Sequence, residues 1–432
     1  MADHISFSAV GDCFITRCAP NGDPALAELA EIIRENDVRL ANLEVSLNDG
    51  NVYPSAICGG TWSEAHPDVL VTMQAYGFNA LGWANNHTLD YLHDGVINTK
   101  YHLEQIGFVH AGGGENLYEA STPKYIETAN GRVALISCAT TAPADWIAGE
   151  QRKDSIGRPG LNLLRTTTVY TVTSDNIQRL QRLAEELGIN TGFELLIENG
   201  FHPPIDKGIT IFGNHQFKEG NGQKAETYIN PVDLERLIGS VEQATQRADH
   251  VLVSLHTHEM NGINLEEPAE FIVDFAHECI DHGADAIVGH GPHIIRGIEI
   301  YQHKPIFYSL GNFIYQADTA LRQPADMYEK FGMDNRHNVV DLFTHLNENA
   351  TRSHAEIPEM WQSVLPVWKM DGSRLVEICL HPLDLGYGFP NYRMGWPSLT
   401  NDIQVLERIK FLSEKFGTKI SIENGVGKIV FD

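Results

Sequence analysis

The feature that most limits what this chain can become is a recurring order of helix then strand, in which strand after strand runs out of apolar residues into Asp, Glu, Asn or His. "ISFSAVGD" alternates apolar residues and delivers Asp12 to a loop. "DPALAELAEIIRENDVRLANLEVSL" carries apolar residues near the helical period and then a second apolar run that ends at Asn42 and Glu44. "EAHPDVLVTMQAYGFNALGWANNH" repeats the pattern and ends at Asn85, Asn86 and His87. Farther on, "HVLVSLHTHE" ends in His256, His258 and Glu259, and "PAEFIVDFAHECIDHGADAIVGHGPH" runs from helix to strand to His290 and His293. "KPIFYSLGNFIY" reads as a strand pair broken at Gly311 and Asn312. This alternation predicts an α/β fold with ligands at the carboxyl ends of the strands. A single domain over residues 1–432 is expected, with insertions at 145–230 and 315–360, which are richer in Gly, Pro, Asn and charge and suit walls or lids.

Asp12, Glu44, Asn86, His256, His290 and His293 together offer carboxylate, amide oxygen and imidazole, a mixed ligand set suited to divalent cations such as Mn, Fe, Zn or Ca. Any one of these histidines taken singly reads as a hydrogen-bonded structural residue. Their convergence at the strand ends of one α/β protein is what points to a metal. His87, beside Asn86, is then placed to handle protons. Asp90, three residues on, either orients His87 or caps the helix that follows. His258 and Glu259 are open between contact with substrate, support of the ligands and exposure to solvent. "HAGGGENLY" reads as a tight turn, since it lacks the Lys and Ser/Thr of a phosphate-binding loop.

Composition removes several classes of partner. With 57 acidic against 31 basic residues the formal charge is −26, which repels phosphate backbones and anionic lipid. Neither nucleic acid nor a membrane is expected as a partner. "MADHISFSAVGDC" lacks the basic start and long apolar stretch of a signal peptide, and the six scattered cysteines form no CxxC pair. Reduced thiols in the cytoplasm are the expectation, with Cys13 read as a small buried thiol.

The segments "AVGDCFITR", "ANLEVSL", "WANNHTLDYL", "HAGGGENLYEA", "VLVSLHTHE", "ADAIVGHGPHIIRGIEIYQHKPIFYSLGNF" and "LERIKFLSEKFGT" occur in the order found in the CapA-type, or poly-gamma-glutamate capsule synthesis, branch of the calcineurin-like metallophosphoesterase superfamily, which the chain resembles. The resemblance implies a four-layer αββα sandwich with a metal site at one end. It matches Asp12 to the Gly-Asp motif, Glu44 to Asn-x-Glu, Asn86 and His87 to Asn-Asn-His, His256 to the lone strand-end histidine, and His290 with His293 to Gly-His-x-Pro-His. Phosphoesterases of the superfamily carry Asp-x-His at the first motif, whereas Phe14 stands here, and "GHGPH" spaces its histidines one residue wider than the superfamily's last motif. Those departures favour one metal over two. The chain is also similar in these motifs to a soluble offshoot of the branch, the lasso peptide epimerases, which implies inversion of a Cα at a precursor peptide's C-terminal residue.

Epimerisation needs a base on one face of the Cα and an acid on the other, with positive charge to stabilise the carbanion. Asp12 with His293 and His87 with Asp90 are the candidate pairs. Arg296 is a candidate partner for a peptide's terminal carboxylate, and His258 and Glu259 for other substrate contacts. Trp146, Phe193, Phe201 and Trp361 are aromatic residues in or beside the insertions that suit a bulky side chain. The alternatives are phosphoester hydrolysis with His87 as general acid, a soluble capsule or poly-gamma-glutamate biosynthesis protein, and a non-catalytic binder that keeps the metal for stability.

Overall fold

The computed structural model describes residues 4–349, 356–390 and 392–431, and it is a mixed α/β protein with eleven α-helices among them. Residues 350–355 of the expected insertion at 315–360 lie outside the described residues, as do the ends of the expected 1–432 domain. Local chemistry sets the elements. Helix Pro24–Arg34 starts with Pro at its first position, and the Asp23 carboxylate accepts from the Ala25 N–H at 2.9 Å. Leu29, Ala30 and Ile33 then fall on one face and are buried.

Contacts divide the chain into two compact units, one of residues 1–163 with 235–432 and one of residues 164–234. The smaller unit holds a four-stranded sheet and two helices, Ser174–Leu187 and Thr191–Glu198. The sequence showed its helical periods; its strands, Thr166–Val172 among them, went unread. Within it the buried Asp233 carboxylate takes a two-pronged bond from Arg165, Nε at 2.7 Å and Nη2 at 2.9 Å.

The larger unit contains a ten-stranded and a six-stranded sheet. In the first, Ile5–Phe14 runs parallel to Val38–Leu43, which runs parallel to Ala80–Gly82, and Asn312–Tyr315 pairs in parallel with the far end of Ile5–Phe14. In the second, Arg132–Ala139, His250–His256, Ala286–His290 and Lys304–Phe307 are all parallel neighbours. Ile5, Phe7, Ala9 and Leu40 of the first sheet share one apolar cluster with Leu135, Leu252 and Val288 of the second. Helices Pro24–Arg34, Val69–Tyr76 and Leu92–Ile106 give Leu29, Ile33, Leu70, Met73, Val96 and Leu103 to a separate cluster with Leu43 and Leu81.

The two sheets do not divide the chain into a first and a second half. Lys124–Glu127 and Arg132–Ala139 leave the first half for the six-stranded sheet, while Gln362–Asp371 and Arg374–Asp384 return to the first. "KPIFYSLGNFIY" is no hairpin: Lys304–Phe307 lies in one sheet and Asn312–Tyr315 in the other. The chain changes sheets at Gly311, whose φ of +75° is natural for glycine.

His110, in the middle of strand Val109–Ala111, accepts from Trp83 Nε1 through Nδ1 at 3.2 Å, and burial pushes its imidazole down to about 4. Above pH 6.5 neither the folded nor the unfolded ring is charged. Between 6.5 and about 4 the unfolded chain takes up a proton that the folded chain refuses, so stability falls as pH falls. The expected loss is roughly 3 kcal/mol over that window. A His110→Gln variant should flatten the profile by about this amount in denaturant titrations; an unflattened profile would mean that His110 titrates no differently when folded.

Candidate metal centre

Parallel register brings the polar strand ends together. Asp12 lies opposite Asn42 on one side and Asn312 on the other, and His256 lies opposite His290. The approach at the first motif is close enough to require glycine: a Cβ on Gly11 would sit 1.9 Å from the Gly311 carbonyl oxygen. The Gly-Asp and Gly-Asn pairs of the sequence are thus one contact, and it sets Asp12 beside the second sheet, where Oδ2 accepts from the Gly291 N–H at 2.9 Å.

Three overlapping groups of side chains converge: Asp12 with His256 and His290, Glu44 with His256 and His258, and Asp12 with Glu44 and His293. The carboxylates stand 3.6 Å (Asp12) from each of His256, His290 and His293, and 3.7 Å (Glu44) from His256. His256 Nδ1 is 3.0 Å from His290 Nδ1, and His256 Nε2 is 3.1 Å from His258 Nε2. Two imidazole nitrogens at such distances need a proton or a cation to hold them together. The Ser254 hydroxyl, 2.8 Å from His290 Nε2, fixes that ring from behind.

Burial works against charge on each group separately. It pushes the Asp12 carboxyl up to about 7 against the bonds from Gly291 and Asn42, and Glu44 well above the usual carboxylate range, with Asp12 and Asp90 adding repulsion. It lowers His290 to about 3 and drives His256 and His258 well below the ordinary histidine range, helped for the last two by neighbouring histidines. The imidazoles are therefore neutral, as metal ligands must be.

A cation is also what the unpartnered atoms call for. Both Glu44 carboxylate oxygens are buried without a hydrogen-bond partner, and so is Asn86 Oδ1. The orientation of the Asn86 amide follows from its neighbours: Nδ2 donates to Gly59 O at 2.9 Å and faces His87 Nε2 at 3.3 Å, leaving Oδ1 unused. Asp12, Glu44, Asn86, His256, His258, His290 and His293 fit a divalent cation by donor chemistry.

Two histidines are held in fixed orientations by polar partners. His87 Nδ1 lies 2.6 Å from Asp90 Oδ2, so an N–H there makes Nε2 the acceptor, facing the Asn86 Nδ2 at 3.3 Å. Asp90 does not cap the next helix, Leu92–Ile106, whose start has no side-chain cap. Its carboxylate instead accepts from His87 and from the Ser63 and Gly59 N–H groups. His293, at a left-handed φ of +61°, places Nδ1 2.8 Å from Asn312 Oδ1. The Asn312 Nδ2 donates to the carbonyls of His293 and Met360, which identifies Oδ1 as the acceptor, and His293 Nε2 stands 4.0 Å from Glu44. The nearest partner of His293 Nδ1 is thus Asn312, with Asp12 beyond it at 3.6 Å.

The candidate substrate residues separate in their surroundings. Arg296 is wholly buried; it donates from Nε to Leu265 O at 3.0 Å and from Nη2 to His258 O at 3.2 Å, and burial lowers it to about 10. It thus holds the main-chain oxygens of Leu265 and His258 from a fully buried position. Glu259 Oε2 accepts from the hydroxyls of Thr140, Thr141 and Thr257 at 2.7 to 2.8 Å, pinning the same strand end. Trp146 and Trp361 are buried in the cluster behind the first sheet, while Phe193 and Phe201 belong to the smaller unit. Cys13 is fully buried and its thiol is driven well up by that burial. Sequence reasoning passed over His258 as a ligand and Asn42 and Asn312 as supports, although "ANLE" and "LGNF" set both asparagines at strand ends.

A buried set of carboxylates, an amide oxygen and imidazoles at the carboxyl ends of parallel strands from two sheets defines an α/β protein able to hold a divalent cation. Residues 6–317 match the family described as bacterial capsule synthesis protein PGA_cap. The chain belongs to that family, which has a metallophosphoesterase-like fold. An uncharacterized protein of Sinorhizobium fredii, y4uA, is 35% identical over 445 aligned positions that cover 99% of this chain and 94% of its own. The PGA biosynthesis protein CapA of Bacillus subtilis is 30% identical over 154 residues, 34% of this chain and 40% of its own. The capsule biosynthesis protein CapA of Bacillus anthracis is 21% identical over 323 residues, 74% of this chain and 60% of its own.

Proposed function

We propose that this chain is a metal-dependent peptide epimerase of the lasso-peptide type, which inverts the Cα of a residue, the C-terminal one, in a ribosomal precursor peptide. The observation that carries the reading is the presence of two oriented imidazoles, His87 on Asp90 and His293 on Asn312 and Asp12, the second of them 4.0 Å from Glu44, whose carboxylate oxygens make no hydrogen bond. Each presents Nε2 as the acting atom. One imidazole takes the Cα proton and its neighbouring carboxylate or amide stabilises the ring that results; the other, already protonated, returns a proton to the opposite face. One divalent cation, Ca, Mn or Zn, supplies the positive charge that makes the Cα proton acidic. Asp12, Glu44, Asn86, His256, His290 and His293 hold it in this reading, with His258 added.

A four-layer αββα arrangement goes with this proposal, supported by the apolar cluster shared between the two sheets and the separate cluster of helices behind the first. So does a cytoplasmic location, supported by six free cysteines; no helix among the described residues is long and apolar enough to cross a membrane. A peptide, rather than nucleic acid, is the proposed partner, in keeping with the charge of −26.

The names of the relatives favour a second reading, a soluble protein of capsule or poly-gamma-glutamate biosynthesis. Its substrate would be a long polyanion, which the net charge disfavours at long range. A third, phosphoester hydrolysis, keeps His87 as acid, but Phe14 packs its ring edge-on to His87 at 5.3 Å where that chemistry uses a ligand. The test is incubation of metal-loaded protein in heavy water with peptides of varied C-terminal residue, poly-gamma-glutamate and p-nitrophenyl phosphate. Deuterium at a peptide Cα supports the epimerase; turnover of the phosphate ester alone, or action on the polymer alone, replaces it with the corresponding alternative. Metal analysis should find about one equivalent, whereas two would mean that both nitrogens of His256 are used at once.

A further inference from the structure

The strongest unassigned feature near the site is a loop, residues 55–63, that touches two of its side chains and the main chain of a third residue yet supplies none of them. Gly59 O accepts from Asn86 Nδ2 and Gly59 N donates to Asp90 Oδ1 at 3.2 Å. Ser63 N donates to Asp90 Oδ2 at 2.7 Å, and the Ser63 hydroxyl donates to the main-chain oxygen of Glu44 at 2.8 Å. The fit is tight enough that a Cβ on Gly59 would meet the Asn86 main-chain oxygen at 2.2 Å. Where this loop sits therefore decides where Asp90 holds His87 and where the unused Asn86 oxygen points.

The loop is not held by its own strand neighbours alone. Gln323, some 260 residues away in sequence and buried, accepts from the Trp62 N–H at 3.1 Å through Oε1 and donates from Nε2 to Trp62 O at 2.8 Å. A single carboxamide thus satisfies both main-chain groups of the residue before Ser63, as a strand neighbour would. Next to it, Arg322 Nε donates to Glu64 Oε2 at 2.9 Å. The Trp62 ring donates to Ser55 O at 2.8 Å and is buried against Tyr91, Met327 and Leu342. Helices Ala325–Lys330 and Val339–Asn349, which carry Met327 and Leu342, belong to the stretch that the sequence marked as an insertion.

We propose that Gln323 is a positioning residue for the His87 and Asp90 pair: its carboxamide latches the 55–63 loop through Trp62, and the loop in turn sets Asp90 against His87 and the amide of Asn86. The latch rests on reading His87 as the group that handles protons, but its test does not need turnover. An imidazole N–H donating to a buried carboxylate at 2.6 Å gives an exchangeable proton resonance far downfield of the amides. That resonance is assigned as the one lost in His87→Ala. In Gln323→Ala it should move upfield or vanish, and the affinity for Mn should drop by about tenfold or more because Asn86 is loosened with it. Gln323→Glu, which keeps the acceptor for Trp62 N and loses the donor to Trp62 O, should fall between the two. Leu346→Ala thins the same apolar plug without touching the loop's main chain; it should lower thermal stability and leave the resonance in place.

Three results would overturn the latch: no far-downfield proton in the wild type, an unmoved resonance in Gln323→Ala, or an equal shift in Leu346→Ala, which would make the effect one of general loosening. A moved resonance in a protein that labels no peptide would retain the latch and remove the epimerase. An unmoved one in a protein that labels a peptide would do the reverse.

Discussion

Glu44→Gln is expected to move two measurements in opposite directions. With chelator present the variant should melt higher than the wild type, because a fully buried carboxylate with neither oxygen hydrogen-bonded costs stability until something positive meets it. A neutral amide of the same shape avoids that cost and adds two donors near the Glu44 neighbours His256 and His293. With divalent cation present the order should reverse. Ligand binding to the folded state alone stabilises by about 4 kcal/mol when free cation exceeds Kd a thousandfold, and loss of a carboxylate ligand should weaken affinity by about a hundredfold or more, about 2.7 kcal/mol. Calorimetric titration with Ca, Mn and Zn, and melts with and without chelator, measure both. Undiminished affinity in Glu44→Gln would take Glu44 out of the ligand set. A lower melting temperature in chelator would mean that the carboxylate has a favourable partner in the metal-free protein.

The opposite signs matter because a purely structural glutamate predicts one sign throughout. Asp12 makes the contrast. Its oxygens are hydrogen-bonded by Asn42 and Gly291, so Asp12→Asn places an amide where acceptors are wanted and should destabilise the metal-free protein as well. Two carboxylates of the same site thus differ in what they cost before a cation arrives.

Much of the site was legible because parallel strands in one sheet share a carboxyl end, so polar residues that stop successive apolar runs must gather there. Asp12 beside Glu44 in one sheet, and His256 opposite His290 in the other, follow that rule; the meeting of the two sets depends on the close approach of Gly11 to Gly311. What stayed hidden depends on contacts without a period. The change of sheet at Gly311 puts Asn312 behind His293, and nothing in "SLGNF" says that its two flanking strands part company. Arg296 reads as an available cation and is instead sealed against two carbonyls, because burial is a property of the loop laid over it. Gln323 lies in a stretch that looks like a surface insertion, and its partner, the Trp62 main chain, is specified by no side-chain pattern at all. Asp90 was open between a cap and a partner of His87, and the structure shows a 2.6 Å contact to that imidazole beside a helix start with no side-chain cap.

His87→Ala and His293→Ala should each abolish net inversion of a peptide Cα, with losses on the order of a hundredfold to ten-thousandfold expected for a proton-transfer group. They should differ in exchange. In heavy water the wild type should place deuterium at the inverted centre, since the returning proton comes from an imidazole that equilibrates with solvent. If His87 removes the proton from the starting configuration, His293→Ala still removes it and returns a deuteron on the same face, giving label with retention, while His87→Ala gives neither label nor inversion from that configuration. Starting from the opposite configuration the two variants should exchange these behaviours, because each base serves one face. The supports scale the effect: Asn312→Ala, which removes the oxygen that orients His293 at 2.8 Å, should mimic His293→Ala more weakly, and Asp90→Asn should mimic His87→Ala. Mass spectrometry combined with chiral amino-acid analysis reads both label and configuration. A single-base mechanism predicts that one variant loses exchange from both configurations while the other loses neither. A phosphatase predicts slowed ester cleavage in His87→Ala and no Cα label in any protein, and that pair of results would replace the epimerase with the hydrolase.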